Sequence, residues 1–136
     1  MAIYILWIAF ICNLLKLKMD VNELYRLNEF INGLIQKEDF QVDLILEEVF
    51  ANIVKYSDSE YVDVYADFKD QTLSVEFVDN GIPFNPLLKE DPKLPDNIDD
   101  AKIGGLGIFL TKELADELDY QNVNGENHLK IIKKVE

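Results

Sequence analysis

Apolar and polar residues alternate along this chain with two different periods, and the longer period predicts helices. Residues 22–36 and residues 39–57 repeat their apolar positions about every 3.6 residues, as amphipathic helices do. A third helix is predicted from the glycines near position 104 to position 118. The apolar stripes that would face a core are Leu24, Leu27, Ile31, Leu34 and Ile35 in the first helix and Val42, Ile45, Val49 and Ile53 in the second.

The shorter period, of two residues, predicts the strands. These strands are residues 13–21, 61–68 and 72–79 and a final hairpin of residues 119–123 and 128–134 joined by a turn at 124–127. The order β-α-α-β-β-loop-α-β-β is typical of an α+β fold with helices on one face of a mixed sheet. With 136 residues, 49% of them apolar, the chain can bury one core, and we expect a single domain over residues 13–136.

Two segments follow neither period. Residues 80–103 contain all four prolines, and a loop of that length is usually a lid or a binding loop. Residues 2–12 form an apolar run that is shorter than the about 20 residues of a spanning helix and lacks the basic start of a secretory signal. We expect this extension, residues 1–12, to pack on its own domain or on a second subunit, with membrane association and a signal segment as the alternatives.

Charge and composition exclude several classes of function. The formal net charge of −13 argues against nucleic acid and anionic membranes as partners, because both require a basic surface. It does not exclude a phosphate ligand, which a few local donors can hold. Cys12 and His128 are the only residues of their types, so a disulfide framework, a cysteine or histidine metal cluster and a Ser-His-Asp triad are hard to build.

The second predicted helix carries a column of polar residues beside its apolar stripe. Glu48 and Asn52 are four residues apart, and Lys55 and Tyr56 follow one turn later. A carboxylate, an amide oxygen and a cation in this arrangement suit a base, a hard cation such as Mg²⁺ and phosphate charge. The alternative is a solvated helix face with a Glu–Lys pair, and the column alone favours it.

Two further clusters contain glycine. Asp79 ends a predicted strand and begins the segment Asp-Asn-Gly at 79–81, where a carboxylate can accept from the exocyclic amine of a base lying against the backbone. An ordinary loop entry is the alternative there. Gly104, Gly105 and Gly107 precede a helix, where exposed N–H groups and the helix dipole favour an anion. This glycine cluster is neither a P-loop nor a Rossmann fingerprint, so it is weak by itself.

Together the three clusters resemble the N, G1 and G2 boxes of the GHKL ATPases, which include gyrase, histidine kinases, Hsp-type chaperones and mismatch-repair ATPases. The matching segments are EVFANIVKY at 48–56, DNG at 79–81 and GGLGIFL at 104–110. Their order and spacing match together, over nearly the whole chain from residue 13 onward. The small single-domain anti-sigma factor serine/threonine protein kinases resemble the chain most, because GGLGIFL and a helix ending in Asp-Glu and an aromatic residue are typical of them.

This resemblance implies a two-layer α/β sandwich of the Bergerat type that binds ATP and Mg²⁺. Glu48 matches the general base and Asn52 the Mg²⁺ ligand. Asp79 matches the acceptor of the adenine amine, with Gly81 beside it, and residues 80–107 match the ATP lid. The glycines of the third cluster match the phosphate-cradling hinge of that lid. The remaining positions implied to bind nucleotide are Lys55, Tyr56, Lys102, Gly104, Gly105, Leu106 and Gly107.

The resemblance also implies a cytoplasmic homodimer that transfers phosphate from ATP to a serine or threonine of a small antagonist protein, the anti-anti-sigma factor. When free of that partner, such a kinase binds a sigma factor. The chain departs from the family at Tyr56, where anti-sigma kinases often carry His, and it has no phosphoacceptor-histidine helix, since His128 falls in a predicted strand. A nucleotide-gated binding module with little catalysis is the alternative, and Glu48 favours the kinase, because a pure binder needs no base.

Overall fold

The computed structural model describes residues 13–83, residue 85 and residues 105–136. Its strands are β1 (Leu14–Leu17), β2 (Val62–Lys69), β3 (Thr72–Asp79), β4 (Glu117–Val123) and β5 (Glu126–Lys134). Its helices are α1 (Leu24–Ile35), α2 (Phe40–Tyr56) and α3 (Gly105–Leu114), with one turn of 3-10 helix at Val21–Glu23. Within the described ranges, no helix has the length and apolar character that crossing a membrane requires. The extension of residues 1–12 and most of the predicted lid, with Lys102 and Gly104, lie outside the described residues.

The five strands form one sheet in the order β1-β2-β3-β5-β4. The α+β fold predicted from the sequence is confirmed. The sequence predicts a mixed, mostly antiparallel sheet, and all four pairings among the described strands are antiparallel. Two-residue turns join the hairpins, with φ of 51° and 61° at Asp70 and Gln71 and of 53° and 80° at Asn124 and Gly125. Positive φ at both central residues gives a turn whose twist matches that of the strands. The first turn lies in the gap between the predicted strands 61–68 and 72–79, and the second takes only two of the four residues, 124–127, that the sequence assigns to it. Both turns fix the register of their hairpins.

The hydrophobic core lies between the helices and the inner face of the sheet. Both predicted helical stripes contribute to it, and Leu27 and Ile31 of α1 are fully buried. On the sheet side, the core takes alternate residues of each strand, because successive side chains point to opposite faces. Its members from the sheet include Val62, Val64, Val75, Phe77 and Ile131. This packing holds α2 across the sheet, and the polar column of α2 therefore lies near the ends of β3 and β5.

The third helix is shorter than predicted, because the residues that follow it pair with β5 of the sheet. It ends at Leu114, and β4 begins at Glu117, before position 118 where the sequence places the helix end. The N–H of Asp116 donates to the carbonyl oxygen of Ile132 at 2.8 Å, and Asp116 Oδ2 accepts from the N–H of Lys134 at 2.6 Å. These two bonds to β5 end the helix in favour of a strand, although the local sequence consists of good helix formers.

The first strand is also shorter than the alternating pattern predicts. It ends at Leu17, and Asp20 then caps the 3-10 turn by accepting from the N–H of Asn22 at 2.9 Å. An Asp side chain that bonds nearby backbone competes with the ladder of a sheet. In the same way Asp39 begins α2, because its Oδ1 accepts from the N–H of Val42 at 3.0 Å.

Candidate functional site

A cleft opens where the C-terminal part of α2 meets the end of β3 and the start of β5. Three residues that the sequence predicts for the site line it: Asn52 and Tyr56 from α2 and Asp79 from β3. It encloses about 450 Å³ of empty space, part of which is open to solvent. The other lining residues are Val49, Ile53, Ser57, Ile82, Ile108, Tyr120, Asn127 and Leu129. Mainly apolar walls with a few convergent polar groups are typical of a site for a small molecule.

Asp79 supplies a buried acceptor to this cleft, with only 4% of the residue exposed. Its Oδ1 accepts from the N–H of Gly81 at 2.9 Å and from Nδ2 of Asn127 at 3.0 Å. No hydrogen bond to its other oxygen, Oδ2, comes from the residues that the structure describes. A ligand N–H group that reaches this oxygen would meet an acceptor that is already oriented by the protein.

Asn127 holds Asp79 in place, and sequence reasoning missed it. The pairing of β3 with β5 places Asn127 directly opposite Asp79. Nδ2 of Asn127 also donates to the carbonyl oxygen of Ile82 at 2.9 Å. Its Oδ1 accepts from the hydroxyl of Tyr120 and, at 3.1 Å, from Nδ2 of Asn122. Donors and acceptors on both sides thus fix the orientation of the amide, and through it that of the Asp79 carboxylate.

The signal that would have revealed Asn127 is its position in an alternating strand. The sequence pattern assigns residues 124–127 to a turn, whereas β5 begins at Glu126. Asn127 precedes Leu129 and Ile131 at intervals of two, so it occupies an inward position of β5. A polar residue at an inward position is buried and must be hydrogen-bonded, and it therefore merits attention as a site residue.

Gly81 lies where the chain passes close to the end of α2. A Cβ added to it would lie 2.1 Å from the carbonyl oxygen of Ser57 and 2.8 Å from its carbonyl carbon. The next residue, Ile82, donates its N–H to the same oxygen at 2.7 Å. The sequence predicts that Gly81 allows close approach of a base, which stays a prediction, whereas the structure shows that this glycine allows close approach of Ser57. That contact fixes the path of the chain after Asp79.

Lys55 lies beside the cleft and is in contact with Tyr56. Its ammonium is 5.2 Å from the centre of the Tyr56 ring, a distance at which a cation is attracted to the ring face. Both residues are exposed, and Tyr56 lines the cleft whereas Lys55 is not among the lining residues. Lys55 is therefore placed to meet charge at the mouth of the cleft, outside its apolar interior.

Glu48 lies one helical turn before Asn52 and is not among the residues that line the cleft. It is half-buried, and burial raises the pKa of its carboxyl above the ordinary value, with a further rise from the neighbouring charge of Glu47. An efficient proton acceptor at neutral pH has a pKa of about 7, and a raised pKa brings the Glu48 carboxyl closer to that value. The geometry thus separates Asp79, which lines the cleft, from a candidate base on the preceding helix.

The first turn of α3 contains the described part of the predicted glycine hinge. The helix begins at Gly105 and continues through Leu106 and Gly107. A Cβ added to Gly107 would lie 2.1 Å from Oε2 of Glu48, so this glycine adjoins the candidate base. The structure therefore brings the hinge to the helix that carries Glu48 and Asn52.

The donor set next to the cleft fits a hard cation such as Mg²⁺. Asn52 presents an amide side chain at the cleft, and Mg²⁺ accepts one or two protein oxygens when phosphates and water supply the rest. Among the described residues there is no group of three or more His, Cys, Asp or Glu side chains that could hold a metal by itself. A metal at Asn52 would therefore need ligand oxygens from a bound phosphate compound.

Comparison with known proteins identifies the family. Residues 23–133 match the family model of the histidine kinase-like ATPase domain, and the chain belongs to this family. It is also similar to the serine/threonine-protein kinase BtrW of Bordetella bronchiseptica, with 37% identity over 57 residues. That match covers 42% of this chain and 40% of BtrW, so it spans less than half of the relative.

Two solved histidine kinase structures are among those that the chain matches. The Acinetobacter baumannii histidine kinase AdeS superposes with a TM-score of 0.50 at 14% identity, over 90% of this chain and 68% of that one. The histidine kinase domain of a blue-light activated histidine kinase from Erythrobacter litoralis gives a TM-score of 0.47 at 18% identity, over 85% of this chain and 60% of that one. The likeness to AdeS supports the fold, which the family assignment already establishes.

The raised pKa of Glu48 predicts that its charge costs stability at neutral pH. A carboxyl whose pKa is higher in the folded than in the unfolded chain binds its proton more tightly when folded. Stability therefore falls as the pH rises from the ordinary value of 4.5 through the raised value, and it stays lower above that. Glu48→Gln should raise the melting temperature at pH 7, and this gain should vanish below pH 4.5.

Thermal melts from pH 4 to pH 8 would test this, with Glu113→Gln as the control. Glu113 is an exposed glutamate on α3, so its substitution should give no comparable pH-dependent gain. A Glu48→Gln variant that melts at or below the wild-type temperature at pH 7 would contradict the inferred cost of burying this carboxylate.

Proposed function

We propose that this chain is an ATP- and Mg²⁺-dependent serine/threonine protein kinase of the anti-sigma factor type. The observation that carries the proposal is the buried Asp79 carboxylate, which presents an oriented acceptor to an apolar cleft in a histidine kinase-like ATPase domain. The partial similarity to a serine/threonine-protein kinase supports a hydroxyl group as the phosphate acceptor.

Adenine is the base that this cleft suits best. Its flat ring would lie among apolar side chains such as Ile108 and Leu129, and its exocyclic amine would donate to Oδ2 of Asp79. A guanine in the same pose would place its O6 acceptor against the carboxylate. Two acceptors that face each other without a proton leave both unsatisfied, which is costly in a buried site. The acceptor character of Asp79 therefore predicts selectivity for adenine.

The phosphates would extend from the cleft toward the first turn of α3. The helix N-terminus there, which begins at Gly105, would face the phosphates with its N–H groups, and Lys55 would add a positive charge. Asn52 would hold Mg²⁺, which neutralises phosphate charge when bound. We treat residues 13–136 as one domain and residues 80–107 as its lid, in line with the sequence expectation.

Glu48 would act as the general base of the transfer. Its carboxylate would take the proton from a serine or threonine hydroxyl while the hydroxyl oxygen bonds to the γ-phosphorus. The bond from that phosphorus to the bridging oxygen of ADP breaks, and ADP leaves. The acceptor would be a serine or threonine of a small antagonist protein, and the free kinase would sequester a sigma factor. A homodimer in the cytoplasm, where ATP is available, is part of this proposal.

A nucleotide-gated protein-binding module with little catalysis is the second candidate. The observation that favours it is the position of Glu48, which is absent from the lining of the cleft. In that case ATP would bind as proposed and would change the affinity for a protein partner, without phosphate transfer.

The adenine assignment predicts that Asp79→Asn reverses the base preference. The two donors that hold Oδ1, the N–H of Gly81 and the amide of Asn127, should select the oxygen of the new side chain. Its NH₂ group then faces the cleft in place of Oδ2. The affinity for ATP should fall about ten-fold or more, because a hydrogen bond to a charged group contributes about 1.5–3 kcal/mol. ITP, which carries an O6 acceptor in place of the amine, should bind the variant better than the wild type.

Calorimetry with both nucleotides and both proteins would measure these four affinities. Asn80→Ala is a matched control, because Asn80 is the next residue but its side chain bonds Glu60 at the surface. Equal ATP affinity for wild type and Asp79→Asn, with both folded, would refute Asp79 as the adenine acceptor.

The kinase assignment predicts phosphate transfer that depends on Glu48. Incubation of the chain with labelled ATP, Mg²⁺ and the small protein encoded beside it should label that protein on serine or threonine. Glu48→Gln should keep ATP binding and slow transfer by about 10²–10⁴-fold, the usual contribution of a positioned base. Glu113→Gln should transfer at the wild-type rate. ATP binding without any transfer by the wild type would favour the binding module instead.

A further inference from the structure

We propose that Gly107 is a positioning residue for Glu48. The Glu48 carboxylate lies in the space that a side chain at position 107 would occupy. The inference rests on the proposed function only where it treats Glu48 as the base. The resemblance implies that this glycine contacts phosphate. The role proposed here is a different one, the positioning of the Glu48 carboxylate.

The distances between the two residues carry the proposal. A Cβ built on Gly107 would lie 2.1 Å from Oε2 of Glu48, 3.0 Å from its Cδ and 3.4 Å from its Cβ. Carbon atoms of real side chains do not come as close as 2.1 Å to an oxygen, because the optimal contact is about 3.5 Å or more. An alanine at position 107 would therefore force the carboxylate of Glu48 to another position.

The backbone of Gly107 is buried and hydrogen-bonded, so a shift of this backbone away from Glu48 would be costly. Its carbonyl oxygen accepts from Oγ1 of Thr111 at 2.9 Å, and Thr111 is only 3% exposed. The next residue, Ile108, is 5% exposed and lines the cleft. Gly107, Ile108 and Thr111 are thus buried, and the end of the flexible Glu48 side chain is the group that would move.

This contact links the nucleotide cleft to the base. The same turn of α3 contributes Ile108 to the cleft and covers Glu48 with Gly107. Gly107 is buried and Glu48 is half-buried, so the turn also removes part of the carboxylate from water. A base that is displaced by the width of a methyl group loses its alignment with the hydroxyl it must deprotonate.

Gly107→Ala tests the role in catalysis, and Gly33→Ala is its matched control. Gly33 also lies in a helix, and a Cβ added there would meet nothing within 4 Å. Gly107→Ala should slow phosphate transfer about ten-fold or more and leave the dissociation constant for ATP unchanged, whereas Gly33→Ala should change neither. A loss of ATP affinity that accounts for the loss of transfer would show that Gly107 serves the nucleotide, and it would overturn the proposal.

A carboxyl-carbon NMR spectrum gives a readout that needs no activity. The Glu48 signal, assigned by its loss in Glu48→Gln, should shift in Gly107→Ala and stay in place in Gly33→Ala. An unmoved Glu48 signal in Gly107→Ala would overturn the proposal, even if the wild type proved to transfer no phosphate. Failure of the proposed function is thereby distinguished from failure of this inference.

A double-variant cycle covers the case in which Gly107→Ala folds poorly. Gly107→Ala should lower the melting temperature of the wild type by about 3 °C or more. In a Glu48→Ala background the clashing carboxylate is gone, and the same substitution should cost nothing or raise the melting temperature, as alanine does in a helix. An equal fall in melting temperature in both backgrounds would show that Gly107 does not serve to accommodate the Glu48 side chain.

Discussion

The hydrogen bond from the Asn127 amide to the Asp79 carboxylate is the interaction on which the cleft depends. A buried carboxylate is costly unless donors replace its water, and here a backbone N–H and a side-chain amide do so. Both donors bond Oδ1, and no described residue bonds Oδ2, which the proposed function assigns to the adenine amine. The antiparallel pairing of β3 with β5 places the two residues opposite each other, so the whole sheet supports this one acceptor.

The same amide connects the acceptor to the start of the loop that follows it. Asn127 donates to the carbonyl of Ile82, and the N–H of Ile82 in turn donates to the carbonyl of Ser57 at the end of α2. Gly81 makes this approach possible, since a side chain there would collide with Ser57. The end of α2, the end of β3 and the start of β5 are therefore joined around the cleft by one backbone hydrogen bond and by the side-chain amide of Asn127.

The charge of the chain makes a binding site for a polyanion demanding. With a net charge of −13, long-range attraction of a triphosphate is absent, and binding must rely on local groups. The apolar walls and the Asp79 acceptor act on the base, whereas Lys55 and the start of α3 act on the phosphates in the proposed function. Neutralisation of phosphate charge by a divalent cation is consistent with so acidic a protein.

Sequence periodicity predicted most of the fold, and its failures have local physical causes. The stripes of α1 and α2, the two tight turns and the strand that ends at Asp79 agree with the structure, because each depends on residues that are close in sequence. The end of α3 was predicted wrongly, because Asp116 bonds to β5, which comes later in the chain. Such a contact cannot be read from propensity.

The lining of the cleft was likewise predicted only where it depends on residues that are close in sequence. Asn52, Tyr56 and Asp79, which line the cleft, were predicted from local motifs, whereas the place of Asn127 beside them depends on a strand register across 48 positions. Gly107 shows a different limit, since a glycine indicates that something approaches closely but does not say what. The sequence predicts a phosphate beside Gly107, and in the structure a Cβ at this position would meet the Glu48 carboxylate.

The central claim, that ATP binds in the cleft with its base at Asp79, is tested most directly by NMR titration of the labelled chain with Mg²⁺-ATP. The account predicts saturable shifts of the backbone amide of Gly81 and of the side-chain amide of Asn127, because both bond the carboxylate that would receive the adenine amine. The same titration with ITP should leave these signals nearly unchanged. Shifts confined to other faces of the sheet, or equal responses to ATP and ITP, would contradict it.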